Sequence, residues 1–220
     1  MRVLITAGGT SERVDDVRVL TNVSRGLYGC AVARACQSAG AEVTLLAGAA
    51  VADRAARLAP AAHIVPFGGV ADLDRALHAA LAGSPPDALF MAAAVSDYIP
   101  DPVLGKVPSD ADTWTITLRR APKLLATLRD RCGPRTVLVG FKLLSGVDAD
   151  TLAAVGVAQA QRDRLDLTVA NDLRDLGDDV HPVTLCWPNG AHRPVTGHRD
   201  ATAAIVAAAA LDLARSRTAG

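Results

Sequence analysis

The fold is decided by residues 3–10, which read Val3-Leu4-Ile5-Thr6-Ala7-Gly8-Gly9-Thr10. The apolar run predicts a buried first strand over residues 2–7, and the two glycines predict a tight turn after it. A helix over residues 27–39 follows only after about twenty residues, whereas such connections usually have ~2–6. Long ordered loops at the carboxyl end of a first parallel strand often bind ligands, so this polar segment is the first candidate binding site.

Beyond this loop, segments of strand and helix character alternate along the chain. Strands are predicted at 41–47, 63–67, 87–93, 136–141 and 165–170, and helices at 50–58, 70–82, 122–129 and 148–162. This alternation favours an α/β fold with a doubly wound, mostly parallel, Rossmann-like sheet in one domain over residues 1–220. The carboxyl ends of the first and fourth strands then meet at the switch point, where ligands bind.

The middle of the chain interrupts the alternation. Two prolines predict an irregular loop over residues 96–102, and glycine, proline and aspartate predict a mobile flap over residues 103–113. Alternating apolar residues predict a short strand at 114–118. Pro122 is expected in the first turn of the helix that runs to Arg129.

The C-terminal part predicts a small hairpin and a closing helix. Strands at 183–187 and 192–196 flank the triplet Pro188-Asn189-Gly190, and the Asn-Gly pair suits a type I′ turn. A helix over residues 199–215 closes the chain.

Composition excludes several classes of function. The 220 residues carry 23 basic and 23 acidic side chains, so neither nucleic acid nor a membrane surface is an expected partner. No apolar run reaches the ~20 residues of a membrane span without interruption, and the chain begins directly with a strand. We therefore expect a cytoplasmic protein without a signal peptide.

The four cysteines are expected to be small apolar core residues. Cys30, Cys36, Cys132 and Cys186 show no CxxC spacing and no accompanying histidine cluster. The sequence therefore predicts neither a zinc site nor a disulfide framework, and no other metal site.

Dinucleotide binding is the first alternative that the glycine turn suggests. However, no GxGxxG motif is present, and the second strand does not end in an acidic residue that would bind a ribose. An NAD(P)-binding Rossmann protein is therefore the weakest of the functions considered.

An ordered set of short motifs carries a more specific signal. In sequence order the motifs are Ile5–Thr10, Asp16-Val17-Arg18, Thr21-Asn22-x-Ser24-x-Gly26-x-x-Gly29, Ala92–Tyr98, Lys106–Ser109, Pro122–Leu125, Gly140–Leu143 and Ala170-Asn171-Asp172. Together they resemble the phosphopantothenate–cysteine ligase (phosphopantothenoylcysteine synthetase) family over nearly the whole chain. The flavin-dependent decarboxylase domain often fused to this family is absent, so the chain looks like the free-standing form.

The resemblance implies a two-step ligation that uses CTP, or ATP in some members, together with Mg²⁺. The carboxylate of phosphopantothenate would attack the α-phosphate and release pyrophosphate, and the cysteine amine would then displace CMP from the acyl-nucleotide. The expected partners are these small molecules and a second copy of the chain, since family members are typically homodimers.

The resemblance also implies roles for individual residues. Asn22 and Lys106 would be catalytic, and Arg18 and Asn22 would bind the acid substrate. The nucleotide would be bound by Gly8, Gly9, Thr10, Ala92, Ala93, Asp97, Lys106, Pro122, Lys123, Leu124, Leu125, Phe141 and Arg162.

Structural alternatives remain open for several of these residues. A lone Asn is commonly a turn or cap residue, and a lone Lys is commonly a solvated surface residue. The alternatives are a loop salt bridge for Arg18, a turn for Asp97 and a core position for Phe141. Pro122 to Leu125 resemble the start of any helix.

Three departures from the family pattern weaken the expected affinity for a triphosphate. Leu27 stands where a basic residue is common, and Pro108 replaces a polar residue in the flap. On the helix before the Asn-Asp strand, Arg162 can supply one of two usual positive charges, while the other is missing. A paralogous enzyme that acts on a different acid or phosphonate, or on CMP, is therefore the second hypothesis.

Overall fold

The structure is a computed structural model and describes residues 1–218. Its strands are β1 (Arg2–Ala7), β2 (Ser11–Arg13), β3 (Val19–Thr21), β4 (Glu42–Gly48), β5 (His63–Phe67), β6 (Ala88–Met91), β7 (Tyr98–Pro100), β8 (Leu118–Arg120), β9 (Val137–Leu144), β10 (Leu167–Asp172), β11 (Val183–Cys186) and β12 (His192–Val195). Its α-helices are α1 (Leu27–Ser38), α2 (Ala52–Leu58), α3 (Val70–Leu81), α4 (Leu124–Cys132), α5 (Ala149–Arg162) and α6 (Arg199–Thr218).

Eight strands form the central sheet in the order β12-β11-β10-β9-β6-β1-β4-β5. Six neighbouring strands, from β10 to β5, are parallel, and β11 and β12 add an antiparallel edge. The chain leaves β1 toward β4 and β5, then returns to place β6 on the other side of β1. The doubly wound, Rossmann-like prediction is confirmed, and the switch point lies between β1 and β6.

Helices cover both faces of this sheet. Residues of α1, α2 and α6 pack against one face, around Ile5, Leu45 and Phe90. Residues of α3 and α4 pack against the other face, around Leu4 and Leu89. Side chains alternate between the two faces along each strand and therefore pack into two separate apolar layers. The sheet, packed on both faces, is a rigid support for the loops at its ends.

The structure confirms the predicted elements of the central sheet, with ends displaced by at most three residues. The first helix ends where its sequence predicts, because Gly40 adopts a positive φ of 81°. The N–H groups of Gly40 and Ala41 then bond the carbonyls of Gln37 and Cys36, which closes a Schellman motif.

The structure differs from the sequence prediction in the segments outside the central sheet. The long loop after β1 contains the hairpin β2–β3, in which Ser11 pairs with Thr21. The predicted loop at 96–102 contains β7, which pairs with β8. The strand predicted at 114–118 is wrong except at its last residue, since regular pairing begins only at Leu118.

The turn of the C-terminal hairpin also differs from the prediction. A type I′ turn centred on Asn189-Gly190 needs a positive φ at both residues, and Asn189 does not have one. Gly190 has a φ of 92° and donates its N–H to the carbonyl of Trp187 at 3.1 Å. The connection is therefore a three-residue loop with a left-handed glycine, which is a common alternative hairpin.

All four cysteines are buried free thiols, as the sequence predicts. Burial raises the pKa of Cys36 to about 12 and the pKa of Cys186 to about 11. These thiols therefore stay protonated near neutral pH and act as small apolar core groups.

Candidate functional site

The loops that follow β1 and β6 are bonded to each other at the switch point. The N–H of Ala94 donates to the carbonyl of Gly8 at 2.8 Å, and the N–H of Thr10 donates to the carbonyl of Ala94 at 3.2 Å. The hydroxyls of Thr10 and Ser96 lie 2.9 Å apart and are buried. The two motifs predicted to bind the nucleotide are thus brought together at the carboxyl edge of the sheet.

The two glycines after β1 are required by close backbone approaches. Gly8 has a φ of 84°, which L side chains rarely adopt. A Cβ at Gly9 would lie 2.6 Å from the carbonyl oxygen of Asn22. The glycine pair therefore lets the backbone at Asn22 lie directly against the turn that follows β1.

Asn22 lies at the base of the hairpin β2–β3, immediately after β3. Its side chain is exposed, and its Nδ2 donates to the carbonyl of Ala94 at 3.1 Å. One amide hydrogen thus fixes the side chain against the loop after β6, and Asn22 remains exposed. A neutral donor is held in place at the switch point.

Arg18 lies at the other end of the hairpin, in contact with the buried carboxylate of Asp15. Its Nη1 donates to Asp15 Oδ2 at 2.8 Å, and its guanidinium carbon lies 4.8 Å from the ring centre of Trp114. The loop salt bridge considered from sequence is therefore present, and about a third of the Arg18 side chain remains exposed.

Asp15 is nearly completely buried, with 1% of its surface exposed. Burial alone would raise the pKa of this carboxyl. Hydrogen bonds from the backbone N–H groups of Val17, Val107 and Arg18, together with the charge of Arg18, outweigh burial and hold the pKa below its usual range. Asp15 is therefore an anion at neutral pH, with its charge compensated by fixed donors.

Lys106 lies in the exposed flap, and the flap backbone on both sides of it is bonded to the tip of the hairpin. Gly105 and Val107 contact Asp16 and Asp15, respectively. From Asn22 to Arg18 the distance along β3 is about 13 Å, at ~3.3 Å per residue. Asn22 therefore lies at the base of the hairpin, and the flap that carries Lys106 is bonded to the hairpin tip.

The residues expected to hold the nucleotide lie on the other side of the same loops. Ala92 and Ala93 follow β6 and are half-buried, and the N–H of Ala93 donates to the hydroxyl oxygen of Thr6 at 3.0 Å. Asp97 forms an ion pair with Lys123. This pair joins the loop after β6 to the start of α4.

The helix α4 begins two residues later than predicted. Lys123 is its N-cap residue and Pro122 precedes the cap, so neither belongs to the helix. The free N–H groups of the first turn therefore begin at Leu124 and Leu125. A cavity of about 560 Å³ between α3 and α4 has Pro122, Lys123 and Leu124 in its wall, a size typical of small-molecule sites.

Phe141 and α4 lie on opposite faces of the sheet. Phe141 packs with the layer of α1 and α6, and its ring meets the edge of Tyr28 at 6.0 Å between centres. Leu125 belongs to the other layer. The core alternative considered from sequence thus describes the present contacts of Phe141, and stacking on a base stays a prediction.

Gly140 in β9 leaves room for side chains from three other segments. A Cβ at Gly140 would lie 2.5 Å from Leu165 Cδ1, 3.0 Å from Gln159 Nε2 and 3.4 Å from Leu125 Cδ2. Side chains two residues apart on a strand point to the same face, so Lys142 points to this side of the sheet as well. Lys142 is half-buried. It belongs to the motif Gly140–Leu143, but the sequence predicts no binding role for it.

The distribution of lysine would have been a signal for Lys142. The chain has twenty arginines but only three lysines, Lys106, Lys123 and Lys142. Lys106 lies in the flap, Lys123 is the N-cap of α4, and Lys142 lies in β9. Lysine and arginine differ in geometry, hydration and flexibility, so the presence of all three lysines in the ordered motifs favours a role for ammonium groups there.

Arg162 is occupied by a neighbouring carboxylate. Its Nε and Nη2 bond both oxygens of Asp163 at 3.0 and 2.7 Å. The hydrogen bond to Asp163 raises the pKa of Arg162. Arg162 therefore contributes less free positive charge than the sequence suggests, and the expected weakening of triphosphate binding stays a prediction.

His181 lies against the aromatic pair near the start of α6, with its ring stacked on Tyr28 at 4.0 Å. Burial, with a smaller contribution from the charge of Arg199, lowers the pKa of His181 to about 4. At pH values between about 4 and 6.5, His181 binds a proton in the unfolded chain but not in the folded chain. The stability of the folded state therefore decreases as the pH falls.

We expect this histidine to cost about 1 kcal/mol of stability between pH 7 and pH 5, after allowance for screening by water at the partly exposed ring. Urea unfolding of the wild type and of His181→Phe at pH 7 and pH 5 measures this loss of stability. The phenylalanine variant keeps a stacked ring without a titrating group, so its stability should fall less. Identical pH dependence of the two proteins would contradict the expectation.

Within residues 1–218, no three His, Cys, Asp or Glu side chains are grouped so that they could hold a metal ion. None of the helices in this range combines the length and the apolar character needed to cross a bilayer.

Comparisons with known proteins find relatives over most of the chain. The chain is 33% identical over 218 residues to the coenzyme A biosynthesis bifunctional protein CoaBC of Vibrio cholerae, covering 93% of this chain and 51% of the relative. The CoaBC protein of Thermococcus kodakarensis is 32% identical over 193 residues, covering 84% and 44%. The chain thus spans about half the length of the curated relatives it matches.

A solved structure shows the same fold. The DNA/pantothenate metabolism flavoprotein from Streptococcus pneumoniae superposes with a TM-score of 0.81 at 26% identity, covering 94% of this chain and 96% of that one. Residues 1–213 match the family described as the DNA/pantothenate metabolism flavoprotein C-terminal domain. The chain therefore belongs to the DNA/pantothenate metabolism flavoprotein C-terminal domain family.

Proposed function

We propose that this chain joins 4′-phosphopantothenate to cysteine in coenzyme A biosynthesis, through an acyl-nucleotide formed with CTP or ATP. The relatives named above are coenzyme A biosynthesis proteins, and the family match covers residues 1–213. The observation that carries the proposal is the position of Asn22, whose amide is held at the switch point by Ala94. The same hairpin also holds the flap of Lys106.

The proposed reaction has two balanced steps. A carboxylate oxygen of phosphopantothenate bonds to the α-phosphorus, and the bond to the β-phosphate breaks with loss of pyrophosphate. The amine nitrogen of cysteine then bonds to the acyl carbon, the acyl–oxygen bond breaks, and CMP or AMP leaves while the amine loses a proton. The first step turns a carboxylate, which is a poor electrophile, into a mixed anhydride with a good leaving group.

The residues of the crevice supply the charge compensation that these steps require. Asn22 donates a hydrogen bond to the acyl or phosphate oxygen without adding charge, and this donor is preorganised by Ala94. Lys106 neutralises negative charge on the phosphates when the flap lies over them. Arg18 reaches the acid substrate with the part of its guanidinium that Asp15 leaves exposed.

The nucleotide is expected in the space bounded by the loop after β6 and the start of α4. The first N–H groups of α4, at Leu124 and Leu125, face an anion favourably, and Lys123 and Lys142 add positive charge there. Mg²⁺ would arrive bound to the triphosphate and supply charge shielding, since residues 1–218 form no protein cage of carboxylates for it.

The test is a pyrophosphate-release assay with purified protein. Release with CTP or ATP should require both phosphopantothenate and Mg²⁺, and addition of cysteine should yield an amide product detectable by mass spectrometry. Reactions that omit one component at a time are the controls. Absence of pyrophosphate release with either nucleotide would contradict the proposal.

A second candidate function is favoured by the pairing of Arg162 with Asp163. With that charge occupied, a paralogue that uses a nucleotide with fewer phosphates, or a different acid or phosphonate, is the alternative. Thermal-shift measurements separate the two functions. Stabilisation by CMP or CDP but not by CTP would favour the alternative, and stabilisation by CTP with Mg²⁺ would favour the ligase.

We further propose a homodimer whose interface includes the hairpin β2–β3 and residues 98–118. Exposed apolar side chains occur in both segments, as the exposed fractions of Val17 (62%), Val19 (56%) and Leu104 (95%) illustrate. Contiguous exposed apolar surface commonly marks an interface with another chain.

We expect light scattering at micromolar concentration to give a dimer, and Leu104→Asp to shift the protein toward a monomer. Burying an unpaired carboxylate at an apolar interface is unfavourable, by ~1–3 kcal/mol or more. Ile205→Asp, at an exposed apolar position on α6, is the matched control and should leave the mass unchanged. A monomeric wild type would contradict the proposal.

A further inference from the structure

The turn between β2 and β3 binds the flap through an unusually complete set of contacts around one carboxylate. Asp15 Oδ1 accepts from the backbone N–H groups of Val17 at 2.9 Å and Arg18 at 2.7 Å. Asp15 Oδ2 accepts from Arg18 Nη1 at 2.8 Å and from the N–H of Val107 at 3.1 Å. Four donors therefore converge on one buried anion, and one of the four belongs to the flap.

Further contacts fasten the flap before Lys106. The N–H of Gly105 donates to Asp16 Oδ2 at 3.1 Å, and the N–H of Asp16 donates to the carbonyl of Gly105 at 3.0 Å. The N–H of Val103 donates to the carbonyl of Val14 at 3.0 Å. The backbone is thus bonded to the hairpin on both sides of Lys106, at Gly105 and at Val107.

Arg18 connects Asp15 to Trp114, the residue that follows the flap. Its guanidinium lies over the ring of Trp114, at 4.8 Å from the ring centre, in a cation–π contact. Its Nη1 also lies 3.4 Å from the carbonyl of Val107. The Asp15–Arg18 pair therefore contacts the flap just after Lys106 and the chain immediately beyond the flap at Trp114.

The Lys106 side chain itself remains available. It is exposed, and the hydrogen bonds and ion pairs found among residues 1–218 do not include its ammonium group. The contacts fix the backbone of this residue and leave its charge free to meet an anion.

We propose that Asp15 is a positioning residue that latches the flap, through Val107 and Arg18, so that Lys106 is held beside the crevice. This inference rests on the proposed function for the role of Lys106 but not for the latch itself. The buried carboxylate acts on the backbone and on Arg18, and it does not contact the reacting groups. The latch also explains why an anion is buried in the turn of an exposed hairpin.

Asp15→Asn tests the latch with little change of shape. An amide keeps one acceptor for Val17 and Arg18, but its NH₂ group faces the two donors at Oδ2. Trypsin cleavage after Lys106 should become about tenfold faster, since a charge-assisted hydrogen bond and its geometry are lost. Asp212→Asn, which alters an exposed Asp–Arg pair on α6, is the matched control and should leave the rate unchanged.

Kinetics then test whether Asp15 acts through Lys106. Asp15→Asn should raise KM for the nucleotide and lower kcat about tenfold together. Lys106→Ala should cost at most about threefold more in that background, because coupled residues are not additive. Full additivity of the two losses would overturn the positioning role.

Two further outcomes keep the latch separate from the proposed function. If the wild type is inactive with both nucleotides, the ligase proposal fails, and the trypsin rates still decide the latch. An unchanged cleavage rate in Asp15→Asn would overturn the latch. If Asp15→Asn does not fold, Arg18→Gln, which removes the contact of Nη1 with Asp15 Oδ2 and the contact with Trp114, must accelerate cleavage after Lys106 for the inference to stand.

Discussion

Asn22→Asp is expected to lower kcat for amide formation by about 10²–10³-fold, the usual cost of losing one donor to a developing oxyanion. The substitution keeps the shape of the side chain but replaces the amide donor by a carboxylate. That carboxylate would face the carbonyl of Ala94, where Nδ2 now donates at 3.1 Å, and would repel the phosphates and the acyl oxygen. Initial rates at saturating nucleotide and acid measure the change.

Asn189→Asp provides a matched control for this substitution. Asn189 is exposed and uses its Oδ1 to accept from the N–H of Ala191 at 3.0 Å, which a carboxylate oxygen can also do. Its rate should equal that of the wild type. A rate for Asn22→Asp within threefold of the control would show that the amide hydrogen of Asn22 has no part in the reaction.

Lys106→Ala is expected to lower kcat/KM for the nucleotide by roughly 10–100-fold, which corresponds to the loss of a charge-assisted hydrogen bond. Because the lysine backbone is fixed by its neighbours, truncation should remove the charge and leave the flap in place. The loss should shrink as salt is added, since salt also screens the interaction in the wild type. Steady-state kinetics at two ionic strengths measure both effects.

Arg193→Ala removes an exposed positive charge on β12 and is the control for this experiment. Arg193 lies at the antiparallel edge of the sheet, with four strands between β12 and β1, so its loss should leave kcat/KM unchanged. Equal effects of the two substitutions would mean that Lys106 contributes only to the overall charge of the protein.

The sequence is sufficient to predict the parallel sheet, because its strands are strongly apolar and separated by helices of ordinary length. The same criterion does not predict the hairpin β2–β3. Ser11-Glu12-Arg13 contains no apolar residue, and it is held by tertiary contacts. Glu12 accepts from the N–H of Val70 at 2.7 Å, and the N–H of Ser11 donates to the carbonyl of Gly68.

The strand predicted at 114–118 fails for a related reason. Trp114 and Ile116 alternate as in a strand, yet both are exposed, and the sheet offers them no partner strand. Trp114 lies instead beside Arg18. An alternating pattern shows only that apolar side chains occur at every second position. It does not show that a partner strand is present.

For the candidate site too, the sequence predicts residues that lie in short local motifs and misses residues whose contacts are distant in sequence. Ordered motifs single out Asn22 and Lys106, because their signals are short and local. Asp15 is missed because its role depends on Val107, 92 residues away, and the residue type alone resembles an ordinary turn aspartate. Lys142 is missed because its direction follows from the pairing of β9 rather than from its neighbours in sequence.

The central claim is that a carboxylate is activated as an acyl-nucleotide in the crevice between β1 and β6. Isotope transfer tests it most directly: phosphopantothenate labelled with ¹⁸O in its carboxylate is converted with CTP and cysteine, and the CMP is analysed by mass spectrometry. The account predicts one ¹⁸O atom in the phosphate of CMP. Amide product formed together with unlabelled CMP would contradict it.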